Sequence, residues 1–443
     1  MPPRLLLWHS ITICSALTSP VYAEDLLATA RLALANDPGL RQAQYQHNVT
    51  QQALPDARAA LLPEIEFNLD NSINQQDIIS RGLGYSSSQR FNTRSYSLDL
   101  TQPLYDPASL LKTGYARDQI TQSQWQLSDT RQALLLRTAQ DYLSILSAQD
   151  NLGFKQAEKT ALNKQLEQTS LQFEAGLSTQ TEYHEIQAQF DLVNAEELIA
   201  FDELEDYYEA LFEITNHRMR ITPIKAENIK PLTEKYELQW WIKQAIDYNP
   251  GYQIAKLDVV LAKNEIKQQR AGHLPTLDLL ASKGNITSGG GRFGGSETDY
   301  SSLTLQLSVP LFSGGLTTSK TRQAIHNHQA LLEQREQKRR SLLRQIRNSF
   351  RSIQTGKRHI KALQHAIDSS QKLMIAEQVA QKNGNRTVVD ALNAQQKYFL
   401  NKRDFSQTLY QQILRQLELR YQAGILKLDD LRKLNQQLQS RGT

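Results

Sequence analysis

Residues 344–374 read RQIRNSFRSIQTGKRHIKALQHAIDSSQKLM, and Ile346, Ile353, Ile360, Ile367 and Met374 recur in that stretch at every seventh position. Phe350 and Leu363 fall between them at steps of three or four. A strict seven-residue apolar repeat specifies a helix packed along a continuous left-handed seam, not around a globular core. From Thr317 to Asn383 there is no proline and one glycine, Gly356, so the spacing predicts one uninterrupted helix. At about 1.5 Å per residue it reaches roughly 100 Å. Gly384 then reverses the chain, and a second helix returns to Tyr421. Gln, Lys, Arg, Ser and Asn crowd the remaining faces, which therefore meet water.

The same plan is written twice. Asn36-Asp37-Pro38-Gly39 recurs as Tyr248-Asn249-Pro250-Gly251, and Leu62-Pro63 as Leu274-Pro275, both 212 residues later. Pro103-Leu104-Tyr105 recurs as Pro310-Leu311-Phe312, and Gly176 as Gly384, at spacings of 207 and 208. The chain accordingly divides into a leader 1–23, a first repeat 24–215, a linker 216–238, a second repeat 239–423 and a tail 424–443. Linker and tail are expected to form an irregular belt.

Within each repeat a short amphipathic helix (Leu26–Asn36; Trp240–Tyr248) stops at the Pro-Gly step. A second helix (Leu40–Ala60; Tyr252–Ala271) ends at Leu-Pro, because proline cannot continue it. The period then changes to two. Ile65, Phe67 and Leu69 alternate with Glu66, Asn68 and Asp70, and Leu303, Leu305, Leu307 and Val309 with Thr304, Gln306 and Ser308. This predicts strands at about 62–75, 93–104, 275–286 and 300–311, each with one apolar and one wet face. The polar, glycine-rich loops between them, Gln76–Asn92 and Gly284–Asp299, carry no Gly-Lys-Ser/Thr and hence no phosphate cradle. Long helical hairpins follow at 108–215 and 317–423. Each return helix is shorter than its partner, so it is expected to stack end to end with the helix that precedes the strands.

Composition narrows the class. Of the 443 residues 40% are hydrophobic and the formal charge is +4, while a mean hydropathy of −0.53 is too polar for a helical membrane protein. The exception is the start, where Arg4 precedes an apolar run ending Val21-Tyr22-Ala23, the pattern of an export signal. Cys14, the only cysteine, lies inside it. The mature chain then has no disulfide, and Thr12-Ile13 do not supply the small residues that lipidation of Cys14 would need. The cations Arg335, Lys338, Arg339, Arg340, Arg344 and Arg347 read as a solvated helix face, without nucleic acid as a partner. His326 and His328 stand about 200° apart on a helix, too far round to share a metal. No metal, cofactor or catalytic nucleophile is indicated.

Four strands with one greasy face leave two solutions. They form a soluble sandwich, making the chain an exported coiled-coil structural or adhesion protein, or they meet lipid. Lipid demands closure, since open sheet edges do not survive in hydrocarbon, and about eight strands are the practical minimum. Two copies supply eight and three supply twelve. Strands of about ten residues, with aromatics Tyr85, Phe91, Tyr105, Phe293, Tyr300 and Phe312 near their ends, suit an outer-membrane barrel.

The duplicated Asn-Pro-Gly and Leu-Pro steps, Val309-Pro310-Leu311-Phe312-Ser313-Gly314-Gly315, and above all Gly384-Asn385-Arg386-Thr387-Val388-Val389-Asp390-Ala391-Leu392-Asn393 resemble the TolC family of outer-membrane efflux and secretion channels. The resemblance implies a mixed α and β membrane protein. Four strands per chain would enter a homotrimeric 12-stranded barrel, continued by an α-helical coiled-coil tunnel across the periplasm of a Gram-negative bacterium. It implies outer-membrane lipid, a periplasmic adaptor protein and an inner-membrane transporter of RND or ABC type as partners. By the same resemblance, Asp390 falls on the acid that rings the narrow entrance and Arg386 on the cation that ties neighbouring helix pairs. Thr181 and Glu182 fall on the Thr-acid pair of the other tip. Asn393 replaces a second acid and Gln381 a tyrosine, which implies a weaker ring and a looser closed state. The residues alone offer another reading: Thr179-x-x-Glu182 and Thr387-x-x-Asp390 both fit capping boxes just after a glycine reversal.

Overall fold

The computed structural model describes residues 25–79, 86–224, 226, 229, 236–291 and 294–439. The expected leader with Cys14, Pro231 of the linker, the loop aromatics Tyr85 and Phe293 and the last four residues lie outside the described residues. The first half runs α1 (Leu26–Asn36), α2 (Pro38–Gln51), α3 (Ala53–Ala59), β1 (Glu64–Ile79), β2 (Ser86–Tyr105), α4 (Pro107–Glu174) and α5 (Gln180–Thr215). The second runs α6 (Leu238–Tyr248), α7 (Pro250–Ala271), β3 (Thr276–Ser288), β4 (Ser296–Ser308), α8 (Leu316–Lys382) and α9 (Val388–Gln422), with α10 (Leu428–Gln439) behind it.

Helices α4 and α8 span 68 and 67 residues, about 100 Å each. The seven-residue repeat does what its spacing dictates. Ile346 and Ile353 are fully buried and Ile367 nearly so, while Ile360 and Met374 are half-buried. Gly356 serves the same seam: a Cβ there would overlap the carboxamide of Gln412 on α9, whose Nε2 donates to the Ile353 carbonyl at 2.9 Å.

The shorter helices meet end to end through a pair of asparagines. Asn36 Nδ2 donates to the Thr215 carbonyl at the end of α5 (2.8 Å), and Asn249 Nδ2 donates to the Gln422 carbonyl at the end of α9 (2.9 Å). The same turns cap the next helices: Leu40 N–H donates to Asp37 Oδ1 at 2.6 Å and Tyr252 N–H to Asn249 Oδ1 at 2.8 Å. Gly424 follows α9 at φ +73°, against the carbonyl of Tyr248, where a side chain has no room.

Helix α4 sits in the middle of the wall, against α5 and α2 on one side and α9 and α7 on the other, and α8 packs on α9 and α7. The wall therefore reads α5–α4–α9–α8 toward the hairpin turns and α2–α4–α7–α8 toward the sheet. The strands form one antiparallel sheet in the order β1-β2-β3-β4, so β1 and β4 each pair on one side only. Its alternation puts Phe67 (67% exposed), Leu98 and Leu305 (62% exposed) on the outside. Asp99 is on the other face, accepting from Asn68, Ser97 and Ser282.

Three expectations need correction. The first strand pair continues through the polar stretch read as loop, to Ile79 and from Ser86, and the second to Ser288 and from Ser296. Ladder hydrogen bonds are made by the backbone and need no apolar side chains. Strand β4 ends at Ser308, before Pro310, which has no N–H to give. The single helix expected over Leu40–Ala60 is broken at Gln52, since Pro55 cannot donate to the Gln51 carbonyl. The tail is not irregular. It forms α10, burying Leu431, Leu434 and Leu438, and its Asn435 Oδ1 accepts from the Leu26 N–H (3.1 Å) while Nδ2 donates to Asp25 (2.8 Å).

Candidate functional site

The two hairpin turns are built alike. Gly176 (φ +71°) lies two residues beyond the end of α4 and Gly384 (φ +73°) two beyond the end of α8. After each, the chain folds back a hydrogen bond across six residues: Leu177 N–H to the Gln172 carbonyl (2.7 Å) and Asn385 N–H to the Ala380 carbonyl (2.9 Å). Glycine fits because only it takes this left-handed backbone without strain. A full capping box opens each return helix. Glu182 N–H donates to Thr179 Oγ1 (3.2 Å) and Thr179 N–H to Glu182 Oε2 (3.0 Å), with Ser178 adding a bond at 2.8 Å. Asp390 N–H donates to Thr387 Oγ1 (3.2 Å), and Thr387 N–H and Oγ1 donate to Asp390 Oδ2 at 3.2 and 2.9 Å.

These bonds fix the charge state. Thr387, by its hydroxyl and its N–H, holds the Asp390 carboxyl below the usual range, and Arg386 adds to this. The Thr179 N–H and then the Ser178 hydroxyl do the same for Glu182. Both acids are ionised at neutral pH. Arg386 turns toward its own hairpin, its Nε 3.4 Å from Glu377 Oε2. Thr181 and Asn393 are exposed, and Gln381 is half-buried. The tips are packed by Leu162, Ile186, Val193, Val388 and Leu392. Among the described residues no ion pair joins Asp390 or Glu182 to Arg386, or one tip to the other. Glu377 was not legible as a tip residue, because the partner of Arg386 lies nine positions back, across the turn.

A sheet with an outward apolar face, a polar inner face, two open edges and helices of 100 Å leading away from it defines a class: an outer-membrane channel subunit. The comparisons agree. Residues 29–217 and 241–424 match the family described as outer membrane efflux protein. The chain is 32% identical over 425 residues to outer membrane protein TolC of Vibrio cholerae, covering 95% of each. It is 30% identical over 439 residues to alkaline protease secretion protein AprF of Pseudomonas aeruginosa, covering 97% of this chain and 90% of that one. The CmeC outer membrane channel of Campylobacter jejuni superposes with a TM-score of 0.79 at 14% identity, over 94% and 89% of the two chains. This chain belongs to the outer membrane efflux protein family, the family of TolC. It is an exit duct in the outer membrane of a Gram-negative bacterium, of the kind that serves efflux pumps and type I secretion. The soluble-sandwich reading finds no support.

Proposed function

We propose that three copies of this chain close a 12-stranded barrel in the outer membrane and continue it as a helical tunnel through the periplasm. The tunnel docks a periplasmic adaptor protein and an inner-membrane transporter of RND or ABC type, and the chain acts as a duct, not as an enzyme. One observation carries the reading: both edges of the molecule are open, β1 on one side and β4 on the other. Four strands cannot close, and an open edge in hydrocarbon leaves backbone groups unpaired. Type I protein secretion is the favoured duty, on the protease-secretion names of AprF and of PrtF of Dickeya chrysanthemi.

At the tip, three copies of Asp390 around one axis would attract cations and repel each other, as charged pore rings do. Glu182 and Thr181 stand at the other tip; Asn393 in place of an acid leaves the ring weaker, and Gln381 in place of a tyrosine leaves the closed state looser. Arg386 is available to exchange Glu377 for an acid of a neighbouring hairpin as the tip closes. Planar-bilayer conductance of Asp390→Ala and Thr387→Ala separates gate from cap. Both variants lose the capping box, but only Asp390→Ala loses the charge. Loss of cation preference in Asp390→Ala alone supports the ring. The same shift in both variants, or none in either, removes it.

A further inference from the structure

The two long edges of the helical wall are oppositely charged. Helix α5 carries eleven acids and no Lys or Arg, whereas α8 carries fourteen Lys and Arg against four acids. Within one chain these helices lie on opposite sides: α5 packs on α4, α1 and α9, and α8 on α9, α7 and α6. Each turns one face into the wall, through Val193, Ala200 and Leu211 on α5 and Ile346, Ile353 and Ile367 on α8. At 100° per residue, Asp202, Glu209 and Glu213 stand on the side of α5 turned away from that packing. Arg347, Arg351 and Arg358 stand on the corresponding side of α8. All six are exposed.

Their heights match. Asp202, Glu209 and Glu213 lie 26, 33 and 37 residues beyond the turn at Gly176, and Arg358, Arg351 and Arg347 lie 26, 33 and 37 residues before the turn at Gly384. The turns are at similar depth, since Val388 and Leu392 pack with Ile186 and Val193. At about 1.5 Å per residue the three levels fall roughly 39, 50 and 56 Å up the wall. Glu209 also meets Arg218 (3.2 Å) and Glu213 meets Arg137 (2.7 Å) in its own chain. Among the described residues Asp202, Arg347 and Arg358 have no ion pair.

We propose that α5 of one copy pairs antiparallel with α8 of the next, as a charge ladder in the register Asp202–Arg358, Glu209–Arg351 and Glu213–Arg347. The occupant of both faces is a second copy of this chain. An acidic edge repels another acidic edge, so the contact is head-to-tail, and such contacts close into a ring when the rotation between copies closes. Of the cations read above as a solvated face, Arg347 thus becomes part of an interface, together with Arg351 and Arg358. The inference rests on the ring reading above and adds the pairing and its register.

The test uses the protein extracted in detergent; the one native cysteine, Cys14, lies in the expected leader. Asp202→Cys with Arg358→Cys, treated with a short bis-maleimide, is expected to give covalent dimers and trimers on denaturing gels. Asp202→Cys with Lys320→Cys, about 60 Å off register, should give none. As a second readout, Asp202→Arg/Glu209→Arg should lose the assembled ring at 150 mM salt, and adding Arg351→Asp/Arg358→Asp should restore it. Light scattering on the same samples separates the failures. A trimer whose 202–358 pair does not cross-link, or whose charge swap does not rescue, overturns the seam and leaves the ring. A monomer in every preparation overturns the ring reading itself.

Discussion

Replacing Gly356 by alanine sets two effects against each other at one atom. In a bare helix the change gains about 1 kcal/mol in propensity. Here the new methyl would occupy the space held by the carboxamide of Gln412, a side chain that is 1% exposed. Displacing it breaks the 2.9 Å bond from Nε2 to the Ile353 carbonyl, worth about 1 kcal/mol, and forces surplus volume into a packed seam, costing about 1–3 kcal/mol. The loss outweighs the gain, and Gly356→Ala should destabilise the hairpin by about 1–3 kcal/mol. Thermal melts followed by circular dichroism at 222 nm should show a midpoint lower by a few degrees. Gly356→Ala/Gln412→Ala, which frees the space for the methyl, should melt above Gly356→Ala alone. A single variant as stable as the parent would show that the glycine is not there to admit Gln412, and the account of the seam would fail.

Two further outcomes follow from the same geometry. Gly424→Ala places a side chain at φ +73° against the Tyr248 carbonyl, so it should cost well over the roughly 1–2 kcal/mol of the left-handed backbone alone. Gly384→Ala, at the same φ with open space around it, should cost only that amount; equal melting points for the two would refute the distinction. Asp141 has its pKa raised by burial from 3.8 to about 6, only partly opposed by Arg137, so the folded protein holds this proton more tightly than the unfolded chain. Its contribution is complete below about pH 4 and is lost as pH climbs through 6. Asp141→Asn should flatten the melting curve over that window and raise the midpoint above pH 6, and an unchanged slope would contradict this.

Much of the fold could be read from the chain because long helices report themselves repeatedly. The seven-residue row from Ile346 to Ile367 is the buried row, and both Thr-x-x-acid signals at the turns form their capping boxes. The strands were legible only where side chains alternate. Beyond Gln75 and before Thr93 the apolar-polar alternation stops, yet the backbone continues the ladder. Helix α10 was missed because Leu431, Leu434 and Leu438 form too short a row to declare a helix, and its docking depends on Asn435 meeting Asp25 from the far end of the chain. At the tip, sequence singles out Asp390, Glu182 and Arg386 as candidates but not Glu377, which only the fold of the turn brings to Arg386.

One copy of this chain is an unfinished wall, and the number of chains in the detergent-extracted protein decides it. Native mass spectrometry should find three chains, extracted from membranes only with detergent. A single chain that stays in solution without detergent, with β1 and β4 paired to each other, would contradict it.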